Sequence, residues 1–270
     1  MRKKITRLVA MVLLCSMVLA MGQSVEAKEM EDMGYLEASG SMEVRWSDEE
    51  STEYAYLPFK VKKDGYITFT ANNVPEKAGT ILRGEWFLCN SARKEITSSD
   101  SCGFYNEESM TFAVKGESSY YLKVKLWGRQ EMVIDYQYRE VNDKSGNKKS
   151  KAYKLKKNKK AEGLLIAGQS KADWYKITLT KKQVLKLTVA TKSYRGIGVK
   201  VYDKKGNEIT GLDYWQVTST DSVNDPVTLA SRTGRYSDSG YKKLAKGTYY
   251  VKVYINKEAK GCGYYSLKWK

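Results

Sequence analysis

Chemistry in this chain has to come from carboxylates, lysines, hydroxyls and thiols, because its 270 residues include no His. Histidine is the commonest general base at neutral pH and the commonest zinc ligand. Ser-His-Asp and Cys-His catalysis are therefore excluded, and His-ligated zinc with them. Composition leaves serine–lysine catalysis open, but no S-x-x-K occurs with its supporting motifs, and G-x-S-x-G is absent. A phosphate-binding glycine loop is absent too. Paired carboxylates can hydrolyse glycosides, yet nothing in the sequence marks a pair, because their separation is spatial. No catalytic residue is assigned, and the chain reads as a non-enzyme.

Two groups of residues could bind. Asp48, Glu49, Glu50 and Glu53 cluster oxygen ligands of the kind calcium takes. They lack the D-x-D-x-D-G loop spacing, so a solvated acidic loop is the reading adopted, and no metal ligand is assigned. Residues 211–242 form a long insertion that holds Tyr214, Trp215, Tyr236 and Tyr241 among Asp, Ser and Thr. Aromatic rings beside polar groups on loops suit sugar or peptide recognition: the ring stacks and the polar groups orient. The plain alternative is that Trp215 folds back as a cap on the core. Trp46, Trp86 and Trp127 have no stronger claim, and Trp86 falls at an inward strand position.

These residues are positioned by strands. In residues 173–180, Tyr175, Ile177 and Leu179 fall on one face, and Trp174, Lys176 and Thr178 on the other. That period of two is a half-buried strand. A second strand is expected over 184–190, with Leu185, Leu187 and Val189 inward. A third runs over 197–202, into a turn whose Asp203 and Gly206 suit a hairpin. Two more cover 247–255 and 263–269.

The first half repeats this order. Residues 56–61 match 174–179, and 66–70 match 184–188. Residues 86–90 match 199–203, 94–96 match 207–209, 120–126 match 249–255, and 134–138 match 265–269. Short strands at such spacing, with no helical period, predict an all-β chain of two tandem antiparallel β-sandwich domains. The first spans 28–138 and the second 161–270.

Residues 1–27 read as a secretory signal peptide. Arg2, Lys3, Lys4 and Arg7 form its basic start, residues 8–21 are almost wholly apolar, and Val25-Glu26-Ala27 offers small residues for cleavage. An uncleaved anchor would need a longer apolar run. A lipid anchor at Cys15 fits less well, because Leu14 precedes it. The expectation is a secreted protein, extracellular or loosely held at a cell surface, with no transmembrane segment after cleavage. An oxidising exterior permits a disulfide between Cys89 and Cys102, worth about 3 kcal/mol if unstrained. Cys262 is then left over, as a buried free thiol or as a link to another chain.

The run D-W-Y-K-I-T-L at Asp173, the V-Y-D-x-x-G-N turn at Val201 and the G-T-Y-Y-V-K-V strand at Gly247 resemble the bacterial pre-peptidase C-terminal domain (PPC domain). Gly263 to Trp269 fits its last strand. The resemblance covers residues 161–270, and residues 35–138 look like a diverged copy. Ala55 stands there in place of Asp173, and Arg93 in place of Gly206. The resemblance implies jelly-roll-like sandwiches on a secreted bacterial protein, commonly beside a protease. Some related collagen-binding domains bind calcium and collagen. By that resemblance Asp173 could be a calcium ligand, but a plain strand-end Asp is the reading adopted, and no cofactor is assigned.

Charge is unevenly spread. Residues 28–138 carry 13 basic and 19 acidic side chains, residues 139–160 carry 10 and 2, and residues 161–270 carry 20 and 9. Residues 139–160 therefore read as a basic Lys-rich linker kept extended by self-repulsion. The basic half reads as plain solvation or as attraction to an anionic envelope polymer or acidic glycan. Nucleic acid is not an expected partner, since no nucleic-acid motif accompanies the charge. The opposite signs of the two halves also permit a salt-screened docking. The function expected is a secreted bacterial binding or adhesion protein. Its partner would be an extracellular polysaccharide, a cell-wall polymer or a matrix protein. The alternative is a set of accessory, chaperone or inhibitor domains for a separately encoded secreted protease.

Overall fold

The computed structural model describes residues 34–45, 54–73, 82–98, 100–104, 108–126, 131–169, 171–215, 220–221, 223–234, 239–255 and 260–270. The expected signal peptide and the acidic cluster at Asp48, Glu49, Glu50 and Glu53 lie outside them, as do Trp46, Trp127 and Tyr236.

The first sandwich is built from β1 (Ser39–Arg45), β2 (Ala55–Val61), β3 (Gly65–Asn73), β4 (Leu82–Asn90), β5 (Asp100–Phe104), β6 (Glu108–Val114), β7 (Ser118–Leu126) and β8 (Glu131–Glu140). They pair antiparallel into two sheets, ordered β1-β8-β3-β6 and β2-β7-β4-β5. Two four-stranded sheets in this order are a jelly roll. Ile67, Phe69, Trp86, Leu88, Phe112 and Leu122 fill the space between them, and Trp86 is core as expected.

The second sandwich has β9 (Tyr153–Lys154), β10 (Lys160–Leu165), β11 (Asp173–Leu179), β12 (Lys186–Tyr194), β13 (Ile197–Tyr202), β14 (Glu208–Trp215), β15 (Thr220–Asp221), β16 (Val227–Ala230), β17 (Gly247–Ile255) and β18 (Cys262–Trp269). Its sheets run β10-β18-β12-β15, with β16 also on β12, and β14-β13-β17-β11-β9. Strand for strand this is the first topology, with β9 added at one edge. The alternation read in residues 173–179 is present: Tyr175, Ile177 and Leu179 are buried while Lys176 and Thr178 are exposed.

The repeat reaches the turns. Asp203 accepts the backbone N–H of Asn207 at 2.8 Å, and Gly206 is left-handed at φ 98°. In the first copy Asn90 accepts from the N–H groups of Ala92 and Lys94, each at 3.0 Å, and Arg93 takes the left-handed position at φ 57°. A short side chain that holds the turn lets a non-glycine residue sit there.

Three expectations are corrected. First, the Lys-rich segment is not an extended linker. Lys149 and Lys151 stand on a 3₁₀ turn (Lys149–Lys151) and Lys154 is exposed on β9, while Ala152 and Leu155 are buried. The Leu155 N–H donates to the Lys176 carbonyl at 3.0 Å, and the Trp269 indole donates to the Leu155 carbonyl at 2.8 Å. Burial of one leucine and completed backbone pairing outweigh self-repulsion that water screens. Second, the described part of residues 211–242 is not one looped insertion: β14 stands where the first copy has β5, and β15 and β16 where it has β6. Third, Cys89 is a buried free thiol. Register sets Cys102 opposite Gly84 on β4, five residues from Cys89. That is about 17 Å along a strand, far beyond the Cα spacing of a disulfide.

The two sandwiches share an apolar seam. Phe112 and Tyr194 rings lie 5.1 Å apart, and Tyr66 and Tyr264 rings 4.9 Å apart. Ala113, Leu164, Ala167 and Cys262 are buried beside them in one continuous cluster. The Tyr194 hydroxyl donates to the Ser98 carbonyl at 2.6 Å, and the Ala167 N–H to the Ala113 carbonyl at 3.0 Å. Charge contributes a bridge from Arg139 to Glu162 at 3.3 Å. The docking is therefore mainly hydrophobic, and Cys262 is a buried thiol within it.

Candidate functional site

Strands β11, β13 and β17 send Tyr175, Ile177, Val199, Val201, Val251 and Val253 inward. The opposite parity must then face outward. On the sheet β14-β13-β17-β11-β9 that outward set is chiefly aromatics and lysines, with Asp213 and Glu208 at the β14 edge. One row reads Asp213, Lys200, Lys252, Trp174 across four strands. The next reads Glu208, Tyr202, Tyr250, Lys176, Lys154 across five.

The rings and ammonium groups interleave. Lys252 Nζ lies 5.9 Å from the Trp174 ring and 5.2 Å from the Tyr254 ring, and Lys149 Nζ sits 4.8 Å over Tyr250. Trp174 and Tyr202 are in ring contact at 6.1 Å. Cation–π contact lays the lysine stems across the sheet rather than out into water. Lys200 donates to Glu208 at 2.9 Å, which raises its pKa. Burial, then the Glu208 charge, raises that of Tyr202. Trp174, Tyr202, Tyr250 and Tyr254 are all half-buried, so each keeps part of its ring in solvent.

Lysines stand directly opposite one another twice on this face, Lys200 against Lys252 and Lys176 against Lys154. Like charges at opposed positions destabilise a sheet. A face of this kind can receive negative groups on its ammoniums and apolar ring surfaces on its aromatics.

Tyr236 of the predicted aromatic set lies outside the described residues, and Tyr214 and Tyr241 stand in different surroundings. Tyr214 is half-buried on β14 and packs against the second core. Trp215 ends the same strand, its backbone opposite Gly198. Tyr241 is 59% exposed and bridges to Arg232, with Lys186 and Arg232 at 5.5 and 5.0 Å from its ring. The residues missed were the strand aromatics. Their signal was in the sequence: Trp174 and Lys176 already fell on the face opposite the core.

A second polar site lies where the Lys-rich segment meets β11. A cavity of about 160 Å³ is lined by Asp143, Ser145, Asn147, Gln169, Lys171 and Asp173. Asp173 is 7% exposed. It accepts from the Tyr265 hydroxyl at 2.6 Å, and that oxygen lies 2.9 Å from the Tyr175 hydroxyl. Burial, reinforced by the Asp143 charge, pushes Asp173 up to about 7. Two carboxylates and two amides are oxygen donors that a hard cation could use. Among the described residues no group of three or more Asp, Glu, Cys or His gathers.

No family model and no curated protein matches the chain. Among solved structures it is similar to tripeptidyl peptidase 2, with TM-score 0.33 and 11% identity, over 88% of this chain and 24% of that one. The chain thus spans about a quarter of that protein's length. It is also similar to the PBSX exported protein XepA, with TM-score 0.27 and 11% identity, over 84% and 86% of the two chains. A third likeness is the CBM22-1-CBM22-2 tandem domain from Paenibacillus barcinonensis Xyn10C, with TM-score 0.23 and 6% identity, over 92% and 96%. None of these likenesses bears on what this chain does.

Proposed function

We propose that this is a secreted, non-enzymatic binding protein that holds an anionic extracellular polymer, of the acidic polysaccharide class, against the outer face of the sheet β14-β13-β17-β11-β9. The observation that carries the reading is the pair of opposed lysine couples set among half-buried aromatic rings. A chain of negative groups lying across the strands meets Lys252, Lys176 and Lys154, Lys200 being paired with Glu208 already, while its apolar ring faces meet Trp174 and Tyr250. The missing His and the signal-like first 27 residues support a non-enzyme that acts outside the cell. The matching topologies of the two halves support the reading of one unit repeated in tandem.

The test is retention of the protein on immobilised polygalacturonate, cellulose, collagen and DNA. It is run across a salt series, with calcium and with chelator. Retention on polygalacturonate is expected to exceed that on cellulose and collagen, and to fall at least tenfold in Lys252→Ala and in Trp174→Ala. Equal retention on DNA would replace the ligand class. Retention unchanged in both variants would remove the site. Retention on none of the four would favour the alternative of a secreted protease as partner.

A further inference from the structure

The outer face of the other kind of sheet, β1-β8-β3-β6, has different chemistry. Ile67, Phe69 and Ala71 of β3 face the core, so Tyr66, Thr68 and Thr70 face out. Across the strands, Ser39, Gln137, Thr68 and Thr111 stand in one row, and Ser41, Asp135, Thr70 and Ser109 in the next. Neighbouring strands lie about 4.8 Å apart, so each row spans roughly 14 Å of hydrogen-bonding side chains. Thr68 and Thr111 hydroxyls are 2.8 Å apart, as are those of Thr70 and Ser109. Ser41 donates to Asp135.

The second sandwich overhangs one end of this floor. The space between them is a cleft of about 420 Å³, lined by Ser39, Tyr66, Thr68, Gln137 and Arg139 from the first sandwich and by Lys192 from the second. That volume lies within the range of small-molecule sites. Each cation is braced from outside the cleft, Lys192 by Asp221 at 3.2 Å and Arg139 by Glu162 at 3.3 Å. Tyr66 packs its ring, tilted, against Tyr264 in the seam, so recognition here is polar rather than by ring stacking.

We infer that this cleft binds an acidic sugar unit, its carboxylate between Arg139 and Lys192 and its hydroxyls on Ser39, Thr68 and Gln137. A bare inorganic anion would use the two cations and leave the hydroxyl floor to water. A neutral sugar would use the floor and make no ionic contact with Arg139 or Lys192. A ligand carrying both kinds of group matches the whole lining. Because Lys192 and Arg139 come from different sandwiches, the bound carboxylate also ties the two together across the seam.

The experiment is calorimetric titration of the intact protein with sodium glucuronate, glucose and sodium sulfate at fixed ionic strength. Glucuronate is expected to bind at least tenfold more tightly than glucose or sulfate. Lys192→Gln and Gln137→Ala should each weaken it at least fivefold; both side chains lie outside the apolar seam, so folding is retained. Lys204→Ala, an exposed turn lysine on neither surface, should leave it unchanged, which separates a cleft site from a general effect of net charge. Sulfate binding as tightly as glucuronate would reduce the site to an anion hole and overturn the sugar assignment. Glucuronate binding that is absent, or indifferent to both variants, would overturn the cleft itself.

Discussion

Asp173→Asn should abolish a specific pH dependence of stability. Asp173 sits at the start of β11, accepting the Tyr265 hydroxyl, with the Asp143 carboxylate nearby. Burial first, and the Asp143 charge second, raise its pKa from 3.8 to about 7. The folded protein therefore keeps a proton that the unfolded chain has released between pH 4 and pH 7. The stabilisation is complete below pH 4 and is lost as pH rises through 7, at up to about 1.4 kcal/mol per pH unit. Over that window the loss is on the order of 4 kcal/mol. Asparagine keeps an acceptor for Tyr265, presents an N–H where the acid had its O–H, and cannot ionise. Urea unfolding of both proteins at pH 4, 5, 6, 7 and 8, in chelator and at constant ionic strength, isolates the difference, because every other titrating group is shared. The variant should match the parent at pH 4 and exceed it by roughly 3–4 kcal/mol at pH 8. Parallel profiles, or a variant weaker by the same amount at every pH, would mean that Asp173 is ionised when folded. The account of the buried Tyr175–Tyr265–Asp173 chain would then be wrong.

Other consequences are more direct. Phe112→Ala should cost about 3–5 kcal/mol and lower the melting of both sandwiches together, since Phe112 packs on both Phe69 and Tyr194; two separate calorimetric transitions in the parent would contradict a shared seam. High salt should leave the sandwiches docked, as read by small-angle scattering, because the seam is apolar. The Cys262 thiol, buried and pushed up to about 12 by loss of solvation, should resist alkylation in the native state and react on unfolding, as followed by peptide mapping. Gly168→Ala should destabilise by about 1 kcal/mol or more, since φ at Gly168 is 76° and an added Cβ would meet the Ile96 side chain of the other sandwich at 3.2 Å; chemical denaturation measures it.

Much of the fold was legible. Tyr175, Ile177 and Leu179 alternate with Lys176 and Thr178 because successive side chains of a strand point to opposite sides, so the pattern itself declares which face is buried. The turn at Asp203 and Gly206 was legible for a similar reason: its hydrogen bonds close within five residues. The Lys-rich segment misled because nine lysines outweigh Leu155 in any composition count, while in the structure one buried leucine and its backbone partners decide the path. The aromatic set at 211–242 misled because its polar neighbours looked like a loop, and only pairing with β13 reveals β14 as a strand.

What the sequence determined by itself was local: strand after strand, the repeated order of the two halves, the hairpin turns and the inward set of each strand. What only the tertiary structure decided was which outward residues meet. Lys200 and Lys252 are more than fifty positions apart, and Lys192 is as far from Arg139. A period of two fixes the side on which each residue stands. It carries no information about the strand that lies alongside or the sheet that packs across, because register and docking are settled by contacts between distant segments.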